Sequence, residues 1–155
     1  CRPMTDADLP FSAALYASTR AAELARVGWP LEQQRLFLEQ QHDAQHRHYR
    51  AAYPGAEWLI VERGGEAIGR LYLVEWDSEL RVVDISLVPA ARGTGIGGAI
   101  LSDLIAVAQA AGKPLSIHVE RDNRARRLYD RLGFETVEDK GVYLLMQHGA
   151  GVAGG

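Results

Sequence analysis

Apolar residues recur along this chain with two different spacings, and each change of spacing marks a new element. Pro10, Phe11, Ala14, Leu15, Leu24 and Val27 follow a helical period that Gly28 and Pro30 interrupt, predicting a helix over about Pro10–Arg26. A second helix is predicted over Leu31–Ala52, with Glu32 in the first turn, where the helix dipole favours it, and Pro54-Gly55 beyond the end. Its apolar positions thin out after Leu38, so His42, His46 and His48 are read as an exposed polar face. His42 and His46 are four apart, but no acidic partner stands at a suggestive spacing, and no metal site is proposed. The period then shortens to that of strands. Glu57–Glu62 and Ala67–Trp76 read as a hairpin turned by Gly64-Gly65, and Leu80–Val88 as a third antiparallel strand. Helical spacing returns at Ile96, Ile100, Leu101, Leu104, Ile105 and Ala108, and ends at Gly112. Leu115–Val119, short and apolar, is predicted to pair in parallel with the strand before the glycines. A helix over Asn123–Leu132, stopped by Gly133, and a strand over Val142–Met146 complete the pattern. The expectation is an α/β fold with a mixed sheet, antiparallel first and containing one β-α-β unit. One domain is expected over residues 1–147, and a flexible tail without packing pattern over 148–155.

Composition adds boundaries to this picture. The chain has 155 residues, enough for one domain with a sizeable core, and its 47% apolar and 24% charged content is that of a globular protein. Seventeen basic against twenty acidic side chains leave a net charge of -3, with no basic patch dense enough to argue for nucleic acid. The single cysteine, Cys1, excludes an internal disulfide and any multi-cysteine metal site. No apolar run reaches membrane-spanning length, so neither membrane nor nucleic acid is expected as a partner, and a cytoplasmic enzyme is the default reading. The chain begins without a methionine, which is compatible with a trimmed start.

The chemistry concentrates in Val82–Gly98, VVDISLVPAARGTGIGG, where a β-branched run meets Pro89 and four glycines surround Thr94 and Ile96. A helix N-terminus leaves four N–H groups unpaired and carries roughly half a positive charge. Gly93, Gly95, Gly97 and Gly98 let phosphate oxygens approach those groups because no Cβ intervenes, and Arg92 adds a guanidinium. Each charge-assisted hydrogen bond is worth about 1.5–3 kcal/mol, so three or four hold a diphosphate firmly. Gly93-x-Gly95-x-x-Gly98 also fits the dinucleotide fingerprint, with Glu120 where a ribose-binding carboxylate belongs. Pro89-Ala90-Ala91-Arg92, between the strand and the first glycine, weakens that reading, as do the short remaining chain and the antiparallel strands upstream. A mononucleotide P-loop is not supported, because Gly97-Gly98-Ala99 lacks its Lys-Ser/Thr ending.

Arg92-x-x-Gly95-x-Gly97 after Val88-Pro89, together with the downstream segment NRARRLYDRLGF from Asn123 to Phe134, resembles the GNAT-type N-acetyltransferase superfamily. The two leading helices and the antiparallel strands bring nearly the whole chain into the resemblance, with the first strand shortened to Cys1-Arg2-Pro3. The resemblance implies acetyl-coenzyme A as co-substrate. Its pyrophosphate would lie on the backbone of Arg92, Gly93, Thr94, Gly95, Ile96, Gly97 and Gly98. Asp84–Val88 would splay from Leu115–Val119, and pantetheine would pair with backbone near Leu87 and Val88 like an extra strand. Asn123 and Arg126 would hold the cofactor arm from the second motif, and Tyr129 matches the tyrosine that protonates the leaving thiolate.

Acetyl transfer needs a neutral amine, and deprotonating a lysine-like amine of pKa about 10.4 at pH 7 costs roughly 4.6 kcal/mol. Asp84 on the central strand is the first candidate base and Glu120 the second, with Ser86 placed to orient water and His118 able to face the site. Asp84 is equally readable as a structural tie to a loop or arginine. Trp29, Trp58, Tyr72 and Trp76 are candidate walls for an acceptor, and Glu23, Glu57, Glu75 and Asp77 would suit a cationic amine. A small-molecule or peptide amine is therefore the expected partner, with a homodimer left open. Two other readings stand beside direct N-acetyl transfer: a non-catalytic acyl-coenzyme A binding module, and a nucleotide-dependent oxidoreductase.

Overall fold

The computed structural model describes residues 1–121, 123 and 125–149, without the side chains of Ala22 and Glu23. Glu23, one of the acceptor-side carboxylates expected above, and tail residues 150–155 therefore lie outside the description. Among the described residues, seven strands form one mixed sheet in the order β1-β2-β3-β4-β5-β7-β6. They are β1 (Arg2–Pro3), β2 (Glu57–Arg63), β3 (Glu66–Glu75), β4 (Leu80–Leu87), β5 (Leu115–Glu120), β6 (Glu135–Asp139) and β7 (Tyr143–His148). Among the described residues, four α-helices accompany them: α1 (Leu9–Ala25), α2 (Leu31–Ala52), α3 (Ile96–Ala110) and α4 (Arg126–Leu132). The expected α/β architecture is the one found. Two elements differ from expectation. β6 has no counterpart in the periodicity, because all five of its residues are exposed and Val137 alone is apolar. α4 starts at Arg126 rather than Asn123, whose side-chain Oδ1 accepts the Ala125 N–H at 2.8 Å and whose carbonyl accepts the Arg126 N–H at 3.2 Å. Asn123 therefore shapes the turn before the helix. β7 also takes in His148, the first residue of the expected tail.

The chain divides into two compact units, Cys1–Leu71 with Ile85–Ala91, and Tyr72–Asp84 with Arg92–Gly155. In the first, β1 pairs antiparallel with β2, Arg2 opposite Ile60, and Arg2 forms ion pairs with Asp8 at 2.7 Å and Glu62 at 3.0 Å. α1 packs on α2, and Leu15, Leu24, Ile60, Val61, Ile68 and Leu71 are buried. The expected exposed histidine face requires correction. His42 is only 4% exposed, because this face of α2 serves a buried guanidinium instead of solvent. Arg70, 2% exposed, donates to Ser12 Oγ at 2.8 Å and to Gln45 Oε1 at 2.9 Å, and Ser12 Oγ lies 2.9 Å from His42 Nε2. Polar groups taken out of water need such partners, and a period count cannot distinguish them from solvated ones. His46 is half-buried and stacked on His42, whereas His48 is exposed.

In the second unit, β5 pairs antiparallel with β7 along its whole length, and Leu101, Leu104 and Ala108 of α3 are buried with Ile117, Val119, Leu144 and Met146. β4 runs parallel to β5 through Leu80–Leu115, Arg81–Ser116 and Val82–Ile117. Arg81 secures this paired stretch: buried, it donates to Ser116 Oγ at 2.7 Å and to Glu79 at 3.2 Å, beneath the Trp76 ring. Ser116 Oγ also donates to Glu79.

Candidate active site

Within the second unit the parallel ladder between β4 and β5 stops at Val82–Ile117 and is not continued at Val83 or His118. Within this unit β4 continues to Asp84 and β5 to Glu120, past the last of the three rungs. Paired residues of a ladder share a face, and faces alternate along a strand. Asp84 thus shares the face of Val82, Ile117 and Val119, while Ser116, His118 and Glu120 occupy the other. The register places Asp84 and Glu120, the two candidate bases, on opposite sides of the sheet.

After the short turn Pro89–Ala91, of which Ala91 alone is buried, the chain passes through exposed Arg92–Gly95 and enters α3 at Ile96. Gly93 and Gly95 have φ of 72° and 86°, in the left-handed region that L side chains avoid. A Cβ at either would meet no atom within 4 Å, so backbone conformation and not crowding requires glycine there, and the approach is open. Gly95 is the N-cap, and among the described residues no side chain caps the helix. The first intrahelical bond runs from Ala99 N–H to Gly95 at 3.0 Å, which leaves the earlier N–H groups directed out of the helix start. Gly98 has a different role, since a Cβ there would touch Leu128 Cδ1 at 3.4 Å. That contact sets the start of α4 beside the start of α3.

Arg126 opens α4. Its Nη1 donates to the Arg121 carbonyl at 2.8 Å, yet its Nε is buried without a hydrogen-bond partner among the described residues. A buried guanidinium nitrogen left unpaired beside an uncapped helix start fits a phosphate oxygen as acceptor. Asn123 is exposed, with its side-chain oxygen already on Ala125.

Tyr129 follows on the buried side of α4, 4% exposed. Gly133, at φ 95°, terminates this helix; Phe134 N–H reaches back to the Tyr129 carbonyl at 3.0 Å, and the two rings meet edge-on at 5.6 Å. The Leu-Gly-Phe ending of the second motif thereby fixes the tyrosine. Burial, and then the charge of Asp84, push its phenol up to about 12. Tyr129 and Asp84 are therefore brought together, and Glu120 is not. Leu87 and Val88 belong to the first unit, where Val88 donates its N–H to Ile68 at 2.8 Å and accepts from Ala91 N–H at 2.9 Å. Of the proposed acceptor walls, Tyr72 is buried in the core, while Trp76 is 37% exposed over Arg81. His118 lies between Arg81 and Lys140, at 3.3 and 3.2 Å, and burial holds it below the usual imidazole range.

The mixed α/β sheet and the glycine-rich, uncapped start of α3 are those of an acyl-transfer class of protein. The chain belongs to the acetyltransferase (GNAT) family, whose model matches residues 19–134. Membership makes it an acetyltransferase with acetyl-coenzyme A as acyl donor. Its fold is similar to that of the PaiA N-acetyltransferase of Thermoplasma acidophilum, solved with coenzyme A, at 15% identity over 94% of this chain and 95% of that one, with a TM-score of 0.68. The ribosomal-protein-alanine N-acetyltransferase of Brucella melitensis is 26% identical over 95% and 97% of the two chains, with a TM-score of 0.56. A GNAT acetyltransferase of Elizabethkingia anophelis with acetyl-CoA bound is 21% identical over 67% and 80%, with a TM-score of 0.55. No curated protein sequence matches the chain. Among the described residues, no helix is long and apolar enough to cross a membrane.

Proposed function

We propose that this chain moves the acetyl group of acetyl-CoA to a primary amine by direct transfer in a ternary complex, in the cytoplasm. The observation that carries the reading is the uncapped start of α3 behind left-handed Gly93 and Gly95, with the unpaired Nε of Arg126 in the neighbouring helix. The N–H groups of Ile96–Gly98 and the Arg126 guanidinium hold the pyrophosphate, with Arg92 and Thr94 on the exposed rim. Of the two backbone positions expected to meet pantetheine, Leu87 and Val88, Val88 already spends its N–H on Ile68 and its carbonyl on the Ala91 N–H.

The amine nitrogen attacks the thioester carbonyl carbon, a C–N bond forms, and the C–S bond breaks to release thiolate. Asp84 accepts the proton lost by the amine, directly or through water. Tyr129, neutral throughout the physiological range, donates its O–H to the departing sulfur. Complete proton transfer from a phenol near 12 to a thiolate of pKa near 8.5 is uphill by about 5 kcal/mol, so hydrogen-bond donation is the larger part of its work. The Brucella melitensis neighbour is described as acting on an alanine of a ribosomal protein, so a peptide with an N-terminal alanine joins small polyamines and amino-acid amides as a candidate acceptor.

The test is a panel of such amines with acetyl-CoA, read by free thiol release and by mass of the acetylated acceptor. Amine-dependent thiol release supports the reading. Tight acetyl-CoA binding without release for any amine would make the chain a binding module, and an acetylated enzyme trapped with acetyl-CoA alone would replace direct transfer.

A further inference from the structure

His118 stands on β5 at the first position past the last rung with β4, on the face opposite Asp84. Both of its ring nitrogens meet cations within the second unit. Nδ1 lies 3.3 Å from Nη1 of Arg81, and Nε2 lies 3.2 Å from Nζ of Lys140. A neutral imidazole has one acceptor nitrogen, whereas guanidinium and ammonium groups only donate. One of the two cations therefore faces an N–H instead of a lone pair.

Arg81 decides which. It is buried, its Nε donates to Ser116 Oγ at 2.7 Å, its Nη2 reaches Glu79 at 3.2 Å, and the Trp76 ring lies 5.2 Å away over it. So held, it cannot turn Nη1 elsewhere, and an unpaired donor at that depth is costly. Nδ1 is thus the acceptor, and Nε2 carries the hydrogen. Burial first, then Arg81 and Lys140, hold the ring below its ordinary 6.5, so it stays neutral at pH 7. At the surface, the Nε2–H and the Lys140 ammonium direct hydrogens into one space. The turn that carries Lys140 is fixed: its N–H donates to the Tyr143 carbonyl at 2.9 Å, and Arg121 ties Asp139 to the Gly141 carbonyl.

Two converging donors suit an oxygen with two lone pairs, and the surrounding charges select its kind. Arg81 and Lys140 are balanced by Glu79 and by Glu138, 3.8 Å from Lys140, and Glu120 lies on the same face of β5. A dianion finds no surplus positive charge there. A carboxylate spreads a single charge over two oxygens and gains a charge-assisted bond from the ammonium. We infer that the Nε2–H of His118 and the ammonium of Lys140 form a carboxylate-binding pair, with Arg81 fixing the tautomer of the ring. The carboxylate belongs to the amine acceptor or to a separate ligand, and the same two donors recognise either.

Long-range proton–nitrogen NMR of histidine-labelled protein reads the ring, with His118→Gln to assign its signals. In the unaltered protein Nδ1 is expected to be the unprotonated nitrogen. Sodium acetate is the probe, over about 1–100 mM at constant ionic strength, a range suited to a four-atom ligand held by two hydrogen bonds. The His118 signals are expected to shift saturably with acetate and to stay nearly still with acetamide, its neutral counterpart. Lys140→Gln, a change at an exposed side chain, is expected to weaken acetate about fivefold or more, and Lys140→Arg to retain most of the affinity. An unprotonated Nε2 in the unaltered protein, a shift that acetamide reproduces, no saturable shift, or undiminished acetate affinity in Lys140→Gln would each overturn the inference. None of these readouts needs acetyl transfer, so the site and the proposed activity fail separately. A second arm identifies the source by comparing glycine with glycinamide as acceptors. A kcat/KM preference for glycine that Lys140→Gln abolishes assigns the carboxylate to the acceptor; equal values beside intact acetate binding assign it to a separate ligand.

Discussion

Tyr129 and Asp84 are coupled, and that coupling gives the site its sharpest chemistry. A phenol held near 12 by burial and by a neighbouring carboxylate cannot ionise under working conditions, so it is a permanent donor. Replacing Tyr129 by Phe removes one hydrogen bond to developing negative charge, worth about 1.5–3 kcal/mol, and is expected to lower kcat by about 10–100-fold. Steady-state thiol release measures this; an unchanged kcat would remove the donor role. Asp84→Asn deletes the smaller of the two causes of the raised pKa. The Tyr129 pKa is expected to fall from about 12 yet stay above the ordinary 10, because burial remains. Absorbance titration of tyrosinate, with Tyr129→Phe as the blank, reads the shift, and a rise would show that the two groups do not interact as described. Glu120 is the second candidate in the sequence, and its position four residues along β5 from Ser116 gives no sign of its face; the register with β4 supplies that.

Two element boundaries carry the cofactor and acid roles proposed above, the start of α3 and the end of α4. Gly95→Glu places a carboxylate at the helix start and demands a left-handed backbone from a residue with a Cβ, and it is expected to abolish binding of both ADP and acetyl-CoA. Gly95→Ala bears the backbone cost alone, so its loss of affinity is smaller; titrations of the two variants that coincide would contradict an anion site there. At the other boundary, Gly133→Ala forces a Cβ into the left-handed region and to 3.3 Å from the His148 ring. About 1–2 kcal/mol of destabilisation is expected, visible as a lower urea midpoint, and a stability equal to that of the unaltered protein would show that this cap does not hold Tyr129. Both boundaries could be read from glycines that interrupt a helical period. The opening of α4 could not, because Asn123 continues a plausible helical pattern and only its bond to Ala125 shows that it precedes the helix.

Over the whole molecule, His42, His46 and His118 share one property: burial first, and nearby cations second, hold each below its ordinary value of 6.5. An unfolded chain takes up protons on these rings below that pH before the folded chain does. Stability is therefore complete above about pH 6.5 and declines as the pH falls below it. Asp8, held down by Arg2, extends the decline into the range where carboxylates titrate. Urea midpoints are expected to be lower at pH 5.5 than at pH 7.5, and equal midpoints would mean that the buried histidines titrate freely. The sequence showed the order of elements well because Pro30, Pro54 and the glycines punctuate clear periods. His42, Arg70 and Ser12 escaped it because a buried polar network has no periodic mark, and β6 escaped it because a strand with one apolar residue in five resembles a loop.

β6 closes the sheet on one side, and its pairing with β7 slips between Thr136 and Glu138. Glu135, Glu138 and Asp139 all project from this last strand into solvent. A second copy attempting to extend the sheet there would meet an interrupted rung and a row of charged groups, Glu135 with the Glu138–Lys140 and Asp139–Arg121 pairs. The rim that looks least organised in the chain is thus poorly suited to pairing with a second copy.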